Sequence, residues 1–197
     1  MRALLTAFGP FLGRDANQSQ SVLELCLRRL PPPWKAELLP VDLAWVREIA
    51  ARRTRSPELE VWLALGEAGE NGTPRIETCG RNHFDLNRDP ASAGEKVLAG
   101  PLVIEGPRSL PTTLPVAELA EYLRNQGHEL TLSADSGSHC CNALLYCGLL
   151  GVAGRARPPW IGFLHLPRRA QDLKSQALMI HDALVWIGEQ RLEQPRS

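Results

Sequence analysis

Runs of apolar residues, each closed by a turn former and each followed by a segment of helical spacing, most narrow the folds open to this chain. Residues 2–8 (RALLTAF) end at Gly9-Pro10, as a buried strand would. Ser21 with Glu24 three residues on makes a capping-box pattern, and Val22, Leu25, Cys26 and Leu30 form a helical stripe that stops at Pro31-Pro32-Pro33. Residues 36–41 read as a second strand. Asp42 then caps a helix with Trp45, Val46, Ile49 and Ala50 on one face, and residues 59–65 read as a third strand closed by Gly66. Strand, helix, strand, helix, strand is the order of a layered α/β domain, with helices on both faces of a mostly parallel sheet.

The later chain continues the alternation. Pro115 stands at a first helical position and Gly127 just past an end, with Val116, Leu119, Ala120 and Leu123 between them. A strand over 129–132 leads to an apolar helix ending near Leu150, residues 160–166 form another strand, and Leu173, Ala177, Ile180, Leu184 and Ile187 make a final core stripe. At 197 residues one well-buried domain over 1–197 is expected. Residues 83–110, rich in Gly, Pro, Asn and Asp, interrupt the pattern and suggest a site cover or a subunit interface.

Basic and acidic side chains balance at 22 each, which leaves no footprint for nucleic acid or an anionic membrane and favours a neutral, small or apolar ligand. The N-terminal apolar run lacks the length and cleavage site of a signal peptide, and no run reaches a transmembrane span. Five cysteines without the spacing of a disulfide framework point to a reducing, cytoplasmic setting. No C-x-x-C pair occurs, and His139 with Cys141 supplies only two potential ligands, so no metal is expected.

Residues 133–142 (SADSGSHCCN) carry a thiol to the point where a strand gives way to a helix. Unpaired N–H groups and the positive end of the helix dipole there favour a thiolate at Cys141 and offer donors to an oxyanion. The plainer alternative is a small buried residue. A thiol nucleophile needs a base and a third group to orient it. His165, in Gly162-Phe163-Leu164-His165-Leu166-Pro167 at a strand end, is the first choice of base and His139 the second. Residue chemistry alone does not separate Glu77 from Glu67 or Glu70 as the third member. Phe8 and Phe11, flanking Gly9-Pro10, can form a flat apolar slot for a small ring. A reading of another class is a non-catalytic redox or small-molecule-binding protein built on the adjacent Cys140 and Cys141. A phosphorylase finds no support, because no Gly-rich phosphate loop or basic cluster is evident.

In four separated segments the chain resembles the pyroglutamyl peptidase I family of cysteine exopeptidases. They are Phe8-Gly9-Pro10-Phe11 with Asn17 and Ser19, the stretch from Gly66 to Asn82, Cys141-Asn142 within 133–146, and residues 162–167. The resemblance implies an α/β/α sandwich, a triad of Cys141, His165 and Glu77, and a substrate site of Phe8, Phe11, Asn17 and Glu67. It also implies no cofactor, peptides with N-terminal pyroglutamate as substrates, and a homotetramer. Four residues depart from the family pattern: Glu67 stands for Gln, Thr78 for Arg, Gln18 for Pro and His139 for Tyr. Glu67 is expected near the ring, able to accept its N–H, at a desolvation cost unless the carboxylate is paired.

Overall fold

Six consecutive buried residues make β1 (Ala3–Phe8) the inner strand that the sequence calls for. The computed structural model describes residues 2–11, 13–69, 72–86, 99–169 and 172–192. After β1 come α1 (Gln18–Leu27), β2 (Trp34–Leu39), α2 (Leu43–Thr54) and β3 (Val61–Ala68). Short strands β4 (Arg75–Glu77), β5 (Cys79–Arg81), β6 (Phe84–Asp85), β7 (Ala99–Gly100) and β8 (Ser109–Pro111) follow. The chain continues through α3 (Val116–Asn125), β9 (Thr131–Ser133), α4 (Cys140–Val152), β10 (Trp160–Pro167) and α5 (Leu173–Ile187), with a π-helical turn at Gly188–Leu192.

The central sheet has the order β2-β1-β3-β10-β4-β9. β2, β1, β3 and β10 run parallel, β4 pairs antiparallel with β10, and β9 is parallel to β4. Alternation along the strands sorts two cores. Ala3, Leu5, Ala7, Val61, Leu63 and Leu65 face α1, α3 and α5, while Leu4, Phe8, Trp62, Ala64, Ile161 and Phe163 face α2 and α4. The result is the expected three-layer α/β arrangement, with a mixed, mostly parallel sheet.

Several boundaries differ from the sequence reading for identifiable reasons. Helix α1 begins a turn before the Ser21–Glu24 pattern, because Asn17 is the N-cap and its side chain accepts from the Ser19 N–H. Asp42 caps α2 as expected, accepting from the Trp45 N–H at 2.8 Å. Pro115 is the N-cap of α3, one position earlier than read. β3 extends past Gly66 to Ala68, so Glu67 lies on a strand. Of the 83–110 excursion, residues 87–98 lie outside the described residues. The rest includes two small sheets, β6 with β7 and β5 with β8.

Gly80 lets β5 lie directly on α4, since a Cβ there would come within 2.7 Å of the Tyr146 backbone nitrogen and Cα. A helix backbone cannot yield as a side-chain tip can. Gly80→Ala is therefore expected to destabilise the protein by about 1–3 kcal/mol, the usual range for overpacking, measured as a lower midpoint in urea denaturation with an unchanged m-value.

Candidate active site

The site forms where three side chains gather around a residue that has none. A Cβ at Gly66 would lie 2.9 Å from Cys141 Sγ and 2.8 Å from two atoms of the Phe163 ring. Across the parallel β3–β10 ladder Gly66 is the register partner of His165, whose ring centroid is 4.8 Å from that of Phe163. Cys141 is the second residue of α4, following the N-cap His139. Its backbone N–H is one of those that a helix start leaves without an intrahelical partner.

His165 is buried, and its Nδ1 lies 2.7 Å from Glu77 Oε1. A carboxylate only accepts, so Nδ1 carries the hydrogen and Nε2 is left as the basic nitrogen. Glu77 is fully buried at the end of β4, not an exposed strand residue, and its Oε2 has no hydrogen-bond partner among the described residues. Arg75 Nε lies 3.6 Å from Glu77 Oε1, which puts a cation beside the buried carboxylate. Of the other two glutamates considered, Glu67 is turned elsewhere, and Glu70 lies outside the described residues. His139, the second choice of base, stands against Phe11 at a centroid separation of 5.2 Å.

The Cys141 thiol does not follow the helix dipole. Burial pushes its pKa well above the ordinary 9.0, and the neighbouring Cys140 and the Glu77 and Glu67 carboxylates add to the rise; only the hydrogen bond from its own backbone N–H acts the other way. The expected thiolate is thus not the resting form, because removal of the sulfur from water outweighs the partial charge of the helix end. Cys140 is 1% exposed within the core whereas Cys141 stays partly accessible, so the two thiols do not present themselves as a pair.

Two cavities flank this point. One, of about 570 Å³, is lined by Phe8, Phe11, Arg14, Asn17, Glu67 and Cys141 among others, which brings all four expected substrate-site residues to one space with the thiol. The second, of about 370 Å³, is polar and is lined by His165 with Arg75, Arg81, His83, Asp85 and Asp135; Glu67 and Ala68 border both. Asn17 is occupied within its own loop: its Oδ1 accepts from the Ser19 backbone and hydroxyl, and its Nδ2 donates to Gly9 O. Glu67 is paired, Oε1 with Arg14 Nη1 at 2.5 Å and Oε2 with the Gln18 N–H at 2.7 Å, which meets its desolvation cost.

Two asparagines organise the surroundings in ways that sequence reasoning missed. Asn142, fully buried, accepts from the Arg81 N–H and the Ser136 hydroxyl and donates to Arg81 O and His83 O, so the start of α4 is tied to β5. Asn82 donates to Val103 O and Gly106 O and accepts from the Val103 N–H, bracing the described part of the excursion. Their adjacency to Cys141 and their position at the end of the Gly66 segment were the available signals, but their partners are remote in sequence. Among the described residues no group of three or more His, Cys, Asp and Glu is placed to hold a metal ion.

An α/β sandwich with a helix-start cysteine and a buried histidine–carboxylate pair has the parts that nucleophilic thiol chemistry requires, as in cysteine-type hydrolases. A sequence model of the pyroglutamyl peptidase family matches residues 1–180, and the chain belongs to that family. A pyrrolidone-carboxylate peptidase of Gloeobacter violaceus is 34% identical over 173 residues, covering 85% of this chain and 82% of its own. One from Chromobacterium violaceum is 32% identical over 166 residues, covering 83% and 76%. Among solved structures, pyrrolidone carboxyl peptidase from Thermus thermophilus is 28% identical with a TM-score of 0.78, covering 92% of this chain and 98% of that one. The Pyrococcus furiosus enzyme, at 21% identity, shares the fold with a TM-score of 0.82, covering 96% and 99%.

A neutral resting thiol has a measurable signature. Alkylation of Cys141 by iodoacetamide is expected to accelerate continuously from pH 7 to 10, since the reagent takes the thiolate; a plateau below pH 7 would mean a preformed thiolate. Cys26, raised by burial to about 12, shifts in the same sense. Because both thiols hold their protons more tightly in the fold than in the unfolded chain, the stability they contribute is intact below pH 9 and is lost as pH climbs toward 12.

Proposed function

We propose that the chain removes N-terminal pyroglutamate from peptides through a thioester on Cys141, with His165 as base and acid and Glu77 as the group that orients it. The observation that carries this reading is the convergence of Cys141 and the Glu77-bound His165 on Gly66. His165 Nε2 takes the proton of the neutral thiol as Sγ attacks the carbonyl after the ring. The same proton then passes to the departing amine, and the C–N bond breaks as the thioester forms. Water, deprotonated by His165, hydrolyses the thioester and returns the thiol. The Cys141 N–H at the helix start faces the developing oxyanion, and Glu77 stabilises the imidazolium as the third member of a triad does. Phe8 and Phe11 hold the lactam ring, which carries no ammonium and so needs no acidic partner.

The reading extends to a cytoplasmic homotetramer. Five free cysteines suit a reducing compartment, no helix among the described residues is long and apolar enough to cross a membrane, and exposed Ile104, Leu132 and Leu178 offer apolar surface to further copies. Light scattering giving the mass of four chains of 21.7 kDa tests the assembly, and a monomer refutes it.

The activity is tested with a pyroglutamyl coumarylamide against prolyl and glutamyl controls. Only the first should be cleaved. Cys141→Ser should lower kcat/KM by more than about 10³-fold without loss of fold, and Cys140→Ser should keep most activity. The reverse pattern would move the nucleophile by one residue, and equal cleavage of all three amides would sink the assignment.

A further inference from the structure

The geometry points to Arg14 as the residue that reads the ring carbonyl of the substrate, with Glu67 positioning it. The inference rests on the pyroglutamyl reading above and names a specificity residue within it. A lactam presents one N–H and one C=O, so its slot should offer an acceptor and a donor; the carboxylate at position 67 can only accept. Glu67 is also committed to the protein on both oxygens, to Arg14 Nη1 at 2.5 Å and to the Gln18 N–H at 2.7 Å, with its side chain 8% exposed.

What this pairing fixes is the guanidinium. Arg14 Nε donates to Phe11 O at 3.3 Å while Nη1 donates to Glu67, so two bonds hold the planar group beside one of the aromatic walls. Of the five N–H donors of an arginine these bonds use two. The side chain is 35% exposed and lines the cavity that also holds Phe8, Phe11 and Cys141. Arg168 lines the same cavity from the segment that follows β10. A fixed cationic donor suits the carbonyl oxygen of a neutral lactam, since a hydrogen bond from a charged donor is the stronger kind. It is a poor neighbour for the ring ammonium of an N-terminal proline. The contact lies on the far side of the ring from the scissile bond. It is made alike in ground and transition states, so its loss appears in KM.

The test uses the free lactam 2-pyrrolidone as a ligand that protects Cys141 from iodoacetamide, alongside kinetics on the pyroglutamyl coumarylamide. In Arg14→Met the 2-pyrrolidone concentration for half-protection and the KM should each rise about 10–100-fold, the worth of a hydrogen bond to a charged group. kcat should stay within about threefold. The alkylation rate without 2-pyrrolidone should match the starting protein, the thermal midpoint should fall because the buried Glu67 carboxylate loses its cation, and Arg14→Lys should recover part of the affinity. Unchanged half-protection and KM in Arg14→Met would overturn the inference. So would altered unprotected alkylation with no recovery of affinity in Arg14→Lys, which would make the arginine a support for the loop alone. Protection is read without turnover, so a chain that binds the ring through Arg14 yet fails to cleave the amide would sink the peptidase reading and leave this one standing.

Discussion

The first turn of α4 rests on the sheet at a separation that only a glycine permits, and the site is built on that contact. Along β3 the residues facing the helix shrink from Trp62 through Ala64 to Gly66. Trp62 lies against Gly148 two turns into α4, at 3.8 Å from where a Cβ would be, while Cys141 meets Gly66. The strand thus presents a taper, and the helix start reaches closest to the sheet where its sulfur is needed. Any side chain at 66 would press on the thiol and the Phe163 ring and lift the helix start off the sheet.

The second constraint is electrostatic. Glu77 is a fully buried carboxylate with one oxygen unpartnered among the described residues, an arrangement that costs several kcal/mol unless charge is supplied nearby. Arg75 supplies it and His165 adds the Nδ1–H bond, both on the same oxygen, from two residues that are register partners across the short antiparallel β4–β10 pairing. The reversal of β4 relative to β10 brings the acid to the base from a segment that a purely parallel sheet would direct elsewhere. At the mouth of the site Glu67 and Arg14 repeat the principle in a second pair, which ties the strand end to the loop bearing Phe11.

Much of the fold was legible because its long elements repeat at clear periods: β1, β3, β10, α2 and α5 each bury the stripe that their spacing announces. The short ones were not. Three residues of β4 show no period, so Glu77 could be singled out only by resemblance to a family. Its burial comes from β10 and β9, which lie far away in sequence. Asn17 rather than the Ser21 pattern starts α1, because the cap depends on a loop folded back to Gly9. The state of Cys141 shows the same limit in chemical form: the helix dipole is local and readable, whereas the desolvation that outweighs it is a property of the packed whole.

The sulfur and the imidazole open onto different spaces, Cys141 onto the partly aromatic cavity and His165 onto the polar one. For the proposed chemistry this sets a sequence of departures. The amine is released on the side where its proton is donated, while the acyl ring stays clamped on the other. The vacated polar space is then the route by which water approaches the thioester, already beside the imidazole that must activate it. On that reading the site is a two-door lock, in which the first product leaves before the reagent that frees the second enters.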